Sequence, residues 1–341
     1  MEIGSEYSWE ETEKGTGIDD LFEGSDRSYV FSGRTAIETA LRNLRGAKKA
    51  LLPSYCCESM IDPFLQAGIE IVFYPVYFAE GLQIELEIPD DADVLLWCDY
   101  FGFHVDFPDV ASFISRGGVV IEDITQNLLS ENTYNFQSRY LVASLRKWFP
   151  VICGGICIDL QGTLLDKPDL YPANEFILRK KNAMLLKKRY LYEMSKSYEK
   201  KDEFLREFSW SNKWLEKNYS KTTIDRESLY YVRHADIEKQ RKIRKRNANV
   251  LYSFIEDSDL IRPLFQKSRM DCPFFVPVWV CNGKRQELKT KLIEDGIFCP
   301  CHWSRPNATC DSNLYDNELS LVCDQRYSEE DMKRIGTCLT E

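Results

Sequence analysis

Four short stretches of the sequence hold side chains able to do chemistry. Leu141-Val142-Ala143-Ser144-Leu145-Arg146-Lys147-Trp148-Phe149-Pro150, followed by Gly154-Gly155, puts a lysine just past an apolar run and among large aromatics. Such a lysine is a candidate for a depressed pKa and Schiff-base chemistry with a carbonyl. Ser144, three residues earlier, could reach a phosphate. Standing alone, the plainer use of Lys147 is to snorkel into solvent. Gly117-Gly118-Val119-Val120-Ile121-Glu122-Asp123-Ile124-Thr125-Gln126 ends a buried run in two acids, with Gln126 three residues after Asp123. A carboxylate there could keep a ring nitrogen protonated and make the ring an electron sink, or it could simply cap a helix or close a turn. Ser32-Gly33-Arg34-Thr35 opens a helical pattern, where unpaired backbone N–H groups and the positive end of the helix suit a phosphate; a serine in that place is more often only a cap. Pro53-Ser54-Tyr55-Cys56-Cys57 brings an aromatic and two polarizable side chains to the end of another apolar run, and its vicinal cysteines read as packing rather than redox chemistry.

The elements that must carry these residues alternate. Short apolar runs at Ala50–Leu52, Glu70–Tyr74, Val94–Cys98, Val119–Ile121, Tyr140–Ala143 and Gly155–Leu160 are bounded by Gly, Pro, Asp or Ser and predict strands. Between them, Arg34–Leu44 puts Ala36, Ile37, Ala40, Leu41 and Leu44 on one helical face, and Glu58–Ala67 and Phe107–Arg116 are patterned alike. Strand–helix alternation predicts a buried, mainly parallel sheet flanked by helices, and the four stretches above fall at strand ends, where open α/β sheets place ligands. From about 173 to 256 the pattern is long charged helices. Phe274–Cys281 then reads as a strand, Arg285–Asp295 as a helix, Gly296–His302 as strand or loop, and Ser328–Ile335 as a helix opened by Ser328 and Asp331. The expected organisation is an N-terminal segment 1–28, a large domain 29–245 and a small α+β domain 246–341.

Composition narrows the classes. With 341 residues, 44% hydrophobic and 29% charged, the chain is an ordinary globular one, long enough to bury a core without staples. No apolar run approaches a membrane span, and the acidic start lacks the apolar stretch of a secretory signal, so the expected compartment is the cytoplasm. The twelve cysteines are then expected to be free and mostly buried. The net charge is −10, yet residues 179–246 carry 21 Lys and Arg against 10 Asp and Glu. Acids, aliphatics and aromatics are interleaved there, which favours solvated faces of amphipathic helices over nucleic-acid binding. Cys299, Cys301, His302 and Cys310 are metal-like in type but fit no common zinc spacing. His104 reads as a structural histidine before a substrate contact, and Trp303 and Arg305 as surface packing at least as readily as contacts to an acidic or sugar substrate.

Phosphate loop, strand with Asp-x-x-Gln and strand with Ser-x-x-Lys occur in one order at compatible spacings. In that order they resemble the aspartate-aminotransferase, or fold-type I, class of pyridoxal-phosphate enzymes. Within it the chain is similar to the DegT-type sugar aminotransferases, through "LLPSYCCESMIDPFLQAGIEIVFYPV", Tyr100-Phe101-Gly102 with Asp106, "VVIEDITQ", "DGIFCPCHW" and "LSLVCDQRYSEEDMKRI". The likeness is strong to about residue 160 and near the C-terminus, and poor over 161–240.

The resemblance implies pyridoxal 5'-phosphate as cofactor, held as a Schiff base by Lys147, which would also shuttle the proton. Asp123 would pair with the pyridine nitrogen and Gln126 would lie near the phenolic oxygen. Ser144, with Gly33, Arg34 and Thr35, would hold the phosphate. The ring-stacking position falls on Cys57 in strict alignment, with Tyr55 and Tyr100 as alternatives. The implied reaction moves an amino group from an amino-acid donor, such as glutamate, to a keto acceptor, such as a nucleotide-linked keto-sugar for surface polysaccharide. Another pyridoxal-phosphate reaction (dehydration or small-molecule amination) and a non-catalytic regulatory role stand as alternatives. A homodimer with shared active sites is also implied. The charge pattern adds an expectation of its own: the basic segment 179–246, with Arg244 and Arg246, reaches across to an anionic substrate or cofactor phosphate of the other subunit. The chain departs from the family in its short Ser144-to-Lys147 spacing and in lacking a recognisable Asn-x-Arg segment.

Overall fold

The computed structural model describes residues 2–12, 14–131, 134–164, 171–192, 198–220, 222–256, 258–308 and 311–340. They fall into two compact units, Met1–Ser5 with Ala47–Ser138 and Glu238–Glu341, and Glu6–Gly46 with Arg139–Ile237.

The first unit is built on four parallel strands in the order Val119–Asp123, Val94–Cys98, Lys49–Pro53 and Glu70–Tyr74. Val94–Cys98 is buried at every residue, as a parallel strand covered on both faces requires. The helix Glu58–Gln66 forms as its pattern predicts. The expected helix Phe107–Arg116 shrinks to Ala111–Ser115, because Pro108 and the uncapped Val110 leave the first turn without support. The C-terminal part has three antiparallel strands, with Val276–Val280 between Ile261–Pro263 and Glu318–Leu321. It also has the helices Arg285–Glu294 and Glu329–Thr340. The expected Ser328 cap is present: Ser328 N–H donates to Asp331 at 3.0 Å and Asp331 N–H donates back to Ser328 Oγ at 3.3 Å. Of Gly296–His302, only Ile297–Phe298 is a strand, paired with Ile3–Gly4.

The second unit has three strands in the order Asp26–Val30, Gly155–Asp159 and Tyr140–Ser144, and they are antiparallel. This corrects the expectation that the last two continue a parallel sheet. Only ten residues join Ser144 to Gly155, fewer than a parallel crossover needs and ample for an antiparallel return. Asp26–Val30 escaped the pattern because four of its five residues are only half-buried. The helix Gly33–Arg42 packs on all three of these strands. A Cβ at Gly155 would stand 2.1 Å from the Ser32 carbonyl oxygen, so only glycine lets strand and helix start approach so closely. Asn174–Tyr192 and Tyr198–Asn218 pack together, with Phe31, Phe176 and Trp214 in edge and tilted contact at 4.9–5.8 Å.

The basic segment is only partly a solvated face. Lys180 and Lys187 are 3% and 4% exposed. Lys180 Nζ sits 2.7 Å from the Glu6 carboxylate, Lys187 donates to the Glu6 carbonyl, and Asn212 donates to the other carboxylate oxygen. Burial alone would raise the Glu6 carboxyl, but Lys180 and Arg146 outweigh it and hold it near 2. Within the first unit Arg244 is 1% exposed and donates to Gln325 and to the carbonyls of Pro273 and Phe274. A guanidinium committed in this way cannot reach a partner subunit, which corrects that expectation for Arg244. Arg246 pairs loosely with Glu329 at 3.5 Å.

Candidate active site

Two clusters of the anticipated residues form, one in each unit. In the second unit, Ser32 caps the helix Gly33–Arg42 by accepting from Thr35 N–H at 3.2 Å. A Cβ added at Gly33 would stand 3.0 Å from Ser144 Cβ, so the helix N-terminus and the end of the strand Tyr140–Ser144 close into a cradle that a side chain would fill. Ser144 is buried. Lys147 ends a single 3-10 turn, Leu145–Lys147, and is half-buried between the fully covered Leu145 and Trp148. The other two helix-start residues turn away to packing. Thr35 Oγ1 donates to the Tyr219 carbonyl at 3.0 Å, while Arg34 donates to the Glu216 carbonyl at 3.1 Å and lies 5.0 Å over the Tyr219 ring.

In the first unit, Asp123 closes the strand Val119–Asp123 and is 6% exposed. Its Oδ1 accepts from Thr125 N–H at 2.8 Å, the turn-closing use of an aspartate. Gln126 is 1% exposed; its Oε1 accepts from Phe101 N–H at 2.9 Å, and its Nε2 has no hydrogen-bond partner among the described residues. A buried amide with an unspent donor fits a ligand oxygen better than it fits a closed core. Tyr55 is fully covered, its ring 6.0 Å from Tyr100, 5.1 Å from Trp303 and 5.2 Å from Tyr315. Tyr100 donates to the Tyr55 carbonyl at 2.7 Å, which fixes both. Cys57 is half-buried at the start of the helix Glu58–Gln66.

Behind Asp123 lies a pair of acids. Asp99 and Glu122 are buried, and their carboxyls interact electrostatically. Trp97 Nε1 donates to Asp99 at 3.1 Å and Asn135 N–H to Glu122 at 3.0 Å. Burial, then the Asp99 charge, pushes the Glu122 carboxyl well above its ordinary range. A raised carboxyl stabilises the fold fully below its unfolded pKa, and that contribution is lost as pH rises toward the raised value. Glu122→Gln should therefore flatten the fall in stability as pH rises above the ordinary glutamate pKa of 4.5, by up to about 1.4 kcal/mol per pH unit. Thermal melts across that range check this, and parallel curves for the two chains would exclude it.

Other candidates settle plainly. His104 Nε2 is 3.3 Å from Asp106 with both side chains well exposed, so it is a surface residue and not a buried structural one. Arg305 pairs with Asp311 and Asp316. Cys310 lies outside the described residues. Among the described residues every cysteine is free, no cluster could hold a metal ion, and no helix is long and apolar enough to cross a membrane.

No family model matches the sequence, and no curated protein matches it. Solved structures do match its course through space. A DegT DnrJ EryC1 StrS aminotransferase from Brucella abortus is 14% identical, superposes over 94% of this chain and 87% of its own, and has a TM-score of 0.64. GDP-4-keto-6-deoxy-D-mannose-3-dehydratase of E. coli, solved with bound hydrated pyridoxal phosphate, is 13% identical over 94% and 89%, with a TM-score of 0.61. DesI, solved in the presence of its TDP-sugar product, is 11% identical over 94% and 81%, with a TM-score of 0.63. This is the fold of the DegT-type aminotransferases. The shared framework runs through nearly the whole chain. Two residues that sequence reasoning left without a role, Asp99 and Glu318, surface only in three dimensions. Asp99 follows a strand and Glu318 starts one, and neither stands in a motif.

Proposed function

We propose that the chain is a pyridoxal-phosphate-dependent enzyme that modifies a keto substrate, and that amino transfer is its reaction. The observation that carries the reading is the cradle at Gly33 and Ser144, three residues from Lys147, set in a fold shared with enzymes solved with this cofactor. The residues fit the group. The helix start and Ser144 would hold its phosphate, Asp123 its ring nitrogen, and the unspent Nε2 of Gln126 a ring oxygen. Bound there, pyridoxal phosphate would supply the electron sink and carry the amino group between donor and acceptor.

The chain's own part is acid–base work and positioning. Lys147 Nζ would bind the cofactor covalently and then move a proton to and from the substrate carbon. Asp123 would stay ionised to keep the ring nitrogen protonated. In this reading residues 29–245 form the cofactor-binding domain and 246–341 the smaller one. Glutamate is the proposed donor, a nucleotide-linked keto-sugar for surface polysaccharide the proposed acceptor, and a homodimer in the cytoplasm the proposed working form. Dehydration of such a sugar is the second reading, since one neighbour of equal likeness is a dehydratase.

The test is borohydride reduction of the chain loaded with pyridoxal phosphate, followed by peptide mapping. The reduced cofactor mass is expected on Lys147; finding it on another lysine, or on none, would refute the reading. Turnover of glutamate with keto-sugars against water elimination from the same sugars separates the two reactions.

A further inference from the structure

The strand Glu318–Leu321 holds a hydrogen-bonded chain that this chemistry leaves unused. Glu318 is fully buried. Ser320 Oγ donates to its Oε1, the backbone N–H of His302 donates to its Oε2 at 2.6 Å, and the Tyr55 hydroxyl lies against the same carboxyl. His302 Nδ1 in turn is 2.7 Å from Ser320 Oγ. A buried acid is thus joined through one hydroxyl to an imidazole that is partly open.

A hydroxyl has one proton to give. While Ser320 gives it to the Glu318 carboxylate, its oxygen must accept from the ring, so Nδ1 carries the proton and Nε2 keeps the lone pair. Protonation of Glu318 permits the reverse, with Ser320 donating to Nδ1. The ring is walled by Phe101, Phe274 and Phe275 at 5.7, 5.9 and 5.0 Å. Phe101 N–H is the group that Gln126 holds, and Trp303, next in the chain, packs 5.1 Å from Tyr55. His302 is therefore one residue removed from Gln126, which the proposed function puts at a ring oxygen of the cofactor, and one from Tyr55.

We propose that His302 exchanges a proton with an oxygen of the keto substrate, and that Ser320 and Glu318 are positioning residues that decide which ring nitrogen carries the proton. The inference rests on the proposed function for its substrate. A proton taken up at Nε2 is balanced by release of the Nδ1 proton to Ser320 and of the Ser320 proton to Glu318. The acid suits that role: burial is the main cause holding it up to about 8, against the pull of Ser320, the His302 N–H and Arg285. Tyr55, Tyr315, Cys299 and Cys301 also face this cluster, with Lys289 3.9 Å from the Cys301 sulfur.

The sequence has three histidines, which makes the test direct. Nitrogen-15 spectra of the histidine-labelled full chain, with His302 assigned by its loss in His302→Asn, report tautomer and titration. In the parent, the neutral ring is expected as the Nδ1–H tautomer above about pH 8. Ser320→Ala and Glu318→Gln should shift its tautomer balance and titration while His104 and His234 stay in place. Ser320→Ala guards against misfolding of the buried Glu318 variant, and Ser320→Thr should restore the parent behaviour. In the loaded enzyme, Ser320→Ala should move the pH profile of kcat with cofactor still trapped on Lys147. An unchanged His302 titration in both variants, or an unchanged kcat profile, would overturn the inference. Loss of labelling at Lys147 would instead overturn the proposed function and leave the histidine result standing.

Discussion

Lys147→Ala is expected to lose all borohydride-trapped cofactor and to drop turnover by at least about 10²–10⁴, the usual worth of a positioned acid–base group. The structure separates this loss from a folding defect. Lys147 is half-buried at the end of a short 3-10 turn, and the side chains that pack the turn are its fully covered neighbours Leu145 and Trp148. Shortening the lysine leaves both in place, so the melting temperature should stay near that of the parent. Turnover, mass mapping and a melt on the same preparation check all three parts. Retained turnover at more than a tenth of the parent rate would remove Lys147 from the chemistry.

Asp123→Asn should cost about 10²–10³ in kcat, the scale found when one preorganised electrostatic partner of a transition state is lost. The asparagine oxygen can still accept from Thr125 N–H, now at 2.8 Å, so the turn survives while the charge goes. Cofactor should still be trapped on Lys147, because the cradle at Gly33 and Ser144 is untouched. The charge that remains behind this position, on the interacting pair Asp99 and Glu122, cannot replace it. The Glu122 side chain leaves the opposite face of the strand, since Glu122 and Asp123 are consecutive. Near-parent kcat would leave Asp123 with only its turn-closing bond.

Much of this protein was legible in its residues. The strands at Glu70–Tyr74 and Val94–Cys98, the start of the helix at Glu58, the cap at Ser328 and the glycine at 33 follow from local rules that act over a few residues. So does the order of Ser32–Thr35, Asp123 and Lys147, because short turns after strands tie each group to its strand end. Three things were decided only by tertiary structure. The ten-residue connection favours the antiparallel return of Gly155 to Ser144, but the close seat of both on the helix start at Ser32 and Gly33 is a long-range steric demand without a pattern of its own. Lys180, Lys187 and Arg244 are cations by sequence but core residues in space. Their burial depends on partners 29 to 181 residues away, which no helical periodicity can show. The same holds for Glu318: nothing in its own segment marks it as a buried acid, and its environment is built by Ser320, His302 and the distant Tyr55. Patterning sets which face of an element is apolar, but desolvation and pairing of single charged groups are set by what the fold brings against them.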